Sequence, residues 1–199
     1  DILFVANLNF MDPEITPLVP VLKSYWLMIH VAVITASYGF FGMSFLLGLL
    51  SLGFMAAGRT TAVLQTHVRA LRLINEMSLH IGLYLLTAGI FLGAVWANES
   101  WGRYWGWDPK WALITMIVYA FVLHARFIPS LSSDYVFNVM SVFALSSVLM
   151  TYFGVNYYLS GLHSYGSGDV PPGLYAVFAV FGAAFLLALY VGYRQKKCQ

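Results

Sequence analysis

Five of the six tryptophans in this 199-residue sequence lie between positions 96 and 111, at Trp96, Trp101, Trp105, Trp107 and Trp111. Indole favours a membrane interface, its ring in the apolar layer and its N–H in the wet one, so a belt of anchors is one reading. A belt does not ask for the compact run WGRYWGWDP, which interleaves Gly102, Arg103, Tyr104, Gly106 and Asp108 with Trp101, Trp105 and Trp107. Such a run can form a flat apolar shelf for a large planar ligand, and the residues alone leave belt and shelf both standing. Five histidines, His30, His67, His80, His124 and His163, supply the metal-ligating chemistry. The single cysteine, Cys198 in a polar tail, excludes an intramolecular disulfide, a thiolate cage and a CxxC redox pair. No side chain stands out as a strong general base.

The elements that must position these residues are written in the charge distribution. Hydrophobic residues make up 60% of the chain and charged residues only 9%, against roughly a quarter charged in a soluble domain. No Asp, Glu, Lys or Arg occurs in 25–58, 77–98, 111–125, 135–168 or 170–193. Each block can supply most of the about 20 residues that cross about 30 Å of hydrocarbon as a helix. Alternating strand patterns are missing, so the expected fold is all-α, a polytopic membrane bundle of about five helices. The spans read as Trp26–Ala57, Met77–Ala97, Pro109–Ile128, Tyr135–Gly154 and Leu174–Tyr193. The expected division is an external segment 1–24, a membrane-embedded domain 25–193 with the tryptophan loop 96–111, and a cytoplasmic tail 194–199. Asp1 in place of Met is read as a sign of processing or truncation. A net charge of +2 without a basic stripe argues against a nucleic-acid partner.

Orientation follows from the basic residues. Arg59, Arg69, Arg72, Arg126, Arg194, Lys196 and Lys197 share one set of loops, and Lys23, Arg103 and Lys110 the other, so the first set is expected inside. His30 then stands about one helical turn beyond the hydrocarbon on the outer side, if the core of the first span is about 35–55. His163 lies outside as well, past the fourth span. A lone histidine near a membrane boundary is ordinarily a hydrogen-bonded interfacial residue. Two outer histidines flanking a tryptophan shelf also suit the axial positions of a bis-His haem, since neutral imidazole ligates iron without bringing charge to the apolar surface. His124 falls within the third span, where ionisable groups are costly and usually functional. His80 is the other histidine near that depth, and His67 reads as a solvated loop residue. Arg103, Asp108 and Lys110 can pair with haem propionates or with one another.

The stretch GAVWANESWGRYWGWDPKWALITMIVYAFVLHARF resembles the WWD signature of the CcsA/ResC family of system II cytochrome c biogenesis. The resemblance extends to PLVPVLKSYWLMIHV around His30 and YFGVNYYLSGLHSYG around His163, covering nearly all of 17–166 in the right order. It implies that His30 and His163 ligate haem b (iron protoporphyrin IX) held on Trp101, Gly102, Tyr104, Trp105, Trp107 and Asp108. It implies that His124, in the LHAR motif, ligates haem in the bilayer with a histidine of a CcsB/ResB-like partner, fused or separate. The implied activity is that of a holocytochrome c synthase (cytochrome c haem lyase), which joins haem to the CxxCH segment of apocytochrome c. The implied location is the bacterial cytoplasmic membrane with the loop toward the periplasm, or the thylakoid membrane of a plastid. A CcmC-type WWD haem carrier without ligase activity is the alternative, although the WDPK continuation favours the synthase. One departure is that Lys110 is followed at once by Trp111, where the family pattern has two further residues; their loss rotates the third helix by about 200° relative to the loop. His80 matches no ligand of the family.

The topology is testable by labelling. A Tyr104→Cys variant should react with a membrane-impermeant thiol reagent added from outside, and labelling only from the cytoplasmic side would invert the assignment.

Overall fold

The computed structural model describes residues 24–57, 62–104, 111–158 and 173–197. Among the described residues there are helices and no strands. Helix α1 is Tyr25–Ala57, α2 Ala62–Trp101, α3 Trp111–Phe127 with a final 3-10 turn, α4 Asp134–Tyr157, and α5 Gly173–Lys197. The four helices α1, α2, α4 and α5 are long and apolar enough to cross a membrane, and α3 is shorter. The all-α membrane bundle read from the sequence is therefore the fold of this chain. Its outer surface carries Met28, Leu46, Leu50, Phe91, Phe178 and Leu186, all more than half exposed, as a lipid-facing wall requires.

Three boundaries differ from the sequence reading. Helix α2 does not begin at Met77 but fifteen residues earlier at Ala62, so His67, Arg69 and Arg72 sit on a helix rather than in a loop. Hydropathy marks only the apolar part of a helix, whereas backbone hydrogen bonding continues into its charged extension. At the other end α2 runs through Trp101, so the expected loop 96–111 starts as a loop only at Gly102. Helix α5 likewise continues past 193 to Lys197.

Helices α1 and α2 form an antiparallel hairpin. Its register is fixed by Ser24 Oγ donating to Glu99 at 2.9 Å, His30 lying against Gly93, Ile34 against Gly89 and Phe41 against Gly82. This register puts His30 beside the apolar block of α2, four residues from its end at Ala97. The ranges 35–55 and 77–97 taken for the first two spans are therefore out of step by about two helical turns. Helix α4 also packs on α1, and α3 closes the bundle against α2 and α4. A Cβ on Gly48 of α1 would come within 2.9 Å of Val142 and 3.1 Å of the Asn138 carbonyl, which shows how close α1 and α4 run. Helix α5 lies against α1 and α4, with Tyr135 Oη donating to the Ala188 carbonyl at 2.8 Å.

Between the helices lies a core of Phe41, Leu79, Leu86, Tyr119, Phe137 and Val148. The Phe41 and Tyr119 rings stack at 3.6 Å with 5° between their planes. One turn away is a buried polar chain. Ser44 donates to Asn75 Oδ1, Asn75 Nδ2 to Asn138 Oδ1 at 3.5 Å, and Asn138 Nδ2 to the Asp134 carbonyl at 2.7 Å, linking α1, α2 and α4. Such bonds in a bilayer are worth roughly 0.6 kcal/mol each, so their larger effect is to fix which residues face each other.

The contact that needs a missing side chain is Gly82, where a Cβ would fall 2.7 Å from Phe41. Gly82→Val should push Phe41 off Tyr119 and cost about 1–3 kcal/mol. The check is a lowered thermal midpoint in detergent; an unchanged midpoint would contradict this packing.

Candidate functional site

One end of the bundle, the tryptophan end, gathers His30, Trp96 and Trp101. Trp96 is 2% exposed and presents a face to His30, ring centroids 6.0 Å apart and planes within 11°. Trp101, the last residue of α2, meets Trp96 edge to face at 4.8 Å. His30 Nδ1 lies 2.8 Å from the Gly89 carbonyl oxygen. A carbonyl can only accept, so Nδ1 carries a proton, and Nε2 is the other ring nitrogen. A backbone carbonyl holding one ring nitrogen orients and enriches a metal-ligating histidine in this way. The residues of this end thus fit a haem ligand: an imidazole held by a backbone carbonyl beside a wall of indole.

The helix permits this because of two glycines. A Cβ on Gly93 would sit 2.6 Å from His30 Cε1 and 2.8 Å from Nδ1, and one on Gly89 would meet Ile34 at 2.6 Å. Gly89, Gly93 and Trp96 follow each other at helical spacing on one face of α2. Their part in seating His30 was not read from the sequence, although Gly-x3-Gly within an apolar helix is the available signal. Gly102 has a different role. At φ +68° it takes the left-handed conformation that ends a helix, and its N–H donates to the Asn98 carbonyl at 2.9 Å. Arg103 and Tyr104 follow, both exposed. Trp105, Trp107, Asp108 and Lys110, and the second outer histidine His163, lie outside the described residues.

His124 is at the opposite end, the arginine end, in the last turn of α3, exposed and with its ring 6.2 Å from Phe127. It is not brought to His30. Arg126 donates to the Ser132 carbonyl at 2.7 Å and to Asp134 at 3.5 Å, and Arg72 donates to the same Asp134 oxygen at 3.0 Å. Arg194 donates to the Ala56 carbonyl, so basic residues from α2, α3 and α5 share one end as the loop count implied. His80 is exposed and Nδ1 donates to the Glu76 carbonyl at 2.8 Å; His67 is exposed on α2. Among the described residues no cluster of three or more His, Cys, Asp or Glu side chains could hold a metal ion.

Gly93→Ala should displace the His30 ring and weaken haem retention about tenfold or more, since a 1 Å misplacement of a positioned group is costly. The measurement is the bound Soret absorbance of the purified protein, and full retention would show that Gly93 does not set His30.

The Cytochrome C assembly protein family model matches residues 2–163. Protein NrfI of Wolinella succinogenes is 54% identical over 173 residues, which are 85% of this chain and 19% of NrfI. Cytochrome c biogenesis protein CcsA of Guillardia theta is 40% identical over 172 residues, 75% of this chain and 57% of that protein. CcsA of Prochlorococcus marinus is 34% identical over 201 residues, 83% of this chain and 63% of that protein. This chain thus spans less than two thirds of the length of each of these relatives. With the family model covering most of its length and relatives 34–54% identical over most of the chain, this chain belongs to the CcsA/ResC family of cytochrome c assembly proteins.

Proposed function

We propose that this chain, with a CcsB/ResB-like partner, presents haem b at one membrane face and attaches it to the CxxCH cysteines of apocytochrome c. In this reading His30 and His163 are the axial ligands. Trp101, Gly102, Tyr104, Trp105, Trp107 and Asp108 hold the porphyrin. His124, paired with a histidine of the partner, takes haem at the other end before it reaches the tryptophan run. The tryptophan end faces the periplasm in a bacterium, or the equivalent face of the thylakoid membrane in a plastid.

The observation that carries the reading is the His30 seat, with Nδ1 on the Gly89 carbonyl and the ring stacked on Trp96. It anchors the imidazole through Nδ1 at the start of the tryptophan run, so that Nε2 is the nitrogen this reading assigns to iron. Each thioether forms when a cysteine S–H adds across a haem vinyl group. An S–C bond replaces the π bond and the thiol proton ends on the other vinyl carbon, with no net oxidation or reduction. The chain's contribution is placement, since holding the vinyl edge before the thiols turns a bimolecular step into a unimolecular one. The histidine of CxxCH replaces one axial ligand as the product leaves.

Co-expression with a CcsB-like partner and an apocytochrome should yield cytochrome whose haem survives denaturing electrophoresis. The His30→Ala, His163→Ala double variant should abolish that stain. Normal maturation by the double variant would sink the ligand assignment, and haem bound only non-covalently by wild type would favour a carrier of the CcmC type.

A further inference from the structure

Toward the tryptophan end, α4 leaves regular helical geometry for one π turn, Met150–Gly154. The Val155 N–H reaches back five residues to the Met150 carbonyl, one more than an α-helix allows, and the Met150 N–H is shared between the Ser146 and Ser147 carbonyls. One extra residue is taken up in this turn. Single π turns are rare and occur most often at functional sites.

Three helices converge to hold the turn. Thr151 gives its hydroxyl proton to the Ser147 carbonyl at 2.9 Å, a back-bond of the kind that bends helices. Its oxygen can still accept, and the Thr115 hydroxyl of α3 lies 3.2 Å away. Tyr38 of α1 reaches the same threonine with a side-chain hydrogen bond. Gly154 completes the arrangement, since a Cβ there would collide with the Met150 side chain.

The extra residue decides the placement of all that follows it. In a regular helix of the same sequence, every residue after Gly154 would stand about 100° further round and about 1.5 Å further along the axis. That moves each Cα by about 3.8 Å. With the turn in place Val155 is buried, Phe153 stacks on Tyr157 at 6.4 Å, and Tyr158 closes the helix by donating to the Gly154 carbonyl. His163, five residues further on, lies outside the described residues. A site residue must be held to about 0.5 Å, so a change of register upstream is not absorbed without loss. Tyr38 is eight residues from His30 on α1, which ties the turn to the helix that carries the first ligand.

We infer that Thr151 and Gly154, with Thr115 and Tyr38, are positioning residues for His163, because the π turn they hold sets the register in which α4 passes the chain to that ligand. The inference rests on the proposed role of His163.

The full chain is studied with its partner and with His124→Ala, so that only haem at the tryptophan end is seen. Its spectrum should be the low-spin one of two axial histidines, and His163→Ala should make it high-spin. The pair Thr151→Ala, Gly154→Ala removes the back-bond and favours a regular helix. It should convert most of the bound haem to the high-spin form while His30 keeps it bound. Deleting Tyr152, an exposed residue of the turn, removes the extra residue itself and leaves Tyr157 and its successors in their native register. Added to the pair, the deletion should restore the low-spin spectrum; alone, it should leave that spectrum unchanged. A merely structural turn predicts the opposite order, with three changes worse than two. A low-spin spectrum from the pair, or no recovery on deletion, overturns the inference. Where the pair yields no folded protein the deletion alone decides, and high-spin haem from it overturns the inference too. Failure of the underlying reading shows differently, as a low-spin spectrum that survives His163→Ala.

Discussion

The close approach of α1 and α2 is the constraint on which the remainder depends. Along one face of α2, Gly82, Gly89 and Gly93 leave no Cβ, and Phe41, Ile34 and His30 of α1 occupy the space. In a bilayer, helix association gains little from the hydrophobic effect, because lipid tails are as apolar as leucine; contact must come from packing of backbones brought near. The same contact sets three things at once. It places Phe41 where Tyr119 can stack on it, which docks α3. It aligns Ser44 with Asn75, which then meets Asn138 and docks α4. At its far end it lays the His30 ring between Gly93, the Gly89 carbonyl and Trp96.

His30 is therefore an extension of the packing rather than an addition to it. A histidine on a lipid-facing helix would carry a ring nitrogen needing a partner in hydrocarbon, an expensive position. Here the Gly89 carbonyl supplies that partner while remaining part of the α2 ladder, and the absence of side chains at 89 and 93 makes the carbonyl reachable. The cost of burying half the imidazole is offset by the bond that holds its ring, so stability and ligand readiness come from one contact.

Much of this was legible in the sequence, for reasons that differ by residue. The charge-free blocks located all five helices, because a bilayer excludes charge strongly. The helix ends were less legible: α2 continues to Ala62 through Arg72 and Arg69 because charged residues can be helical once outside the apolar layer. His30 and His124 were singled out by type and depth. Gly89 and Gly93 were not, since a glycine reads as permissive until its neighbour across the interface is known. The relative level of the first two spans was not legible, because hydropathy places each helix separately and only the interhelical contacts put α1 and α2 in register.

That register also separates the two ends. Phe41, Gly82 and Tyr119 share one level, with Gly93 eleven residues to one side and His124 five residues to the other. At 1.5 Å per residue His30 and His124 are about 24 Å apart along the bundle axis. One porphyrin cannot touch both. The level between them is filled, for Phe41 and Tyr119 are fully buried and face to face, and interiors packed this densely leave no room for a tetrapyrrole.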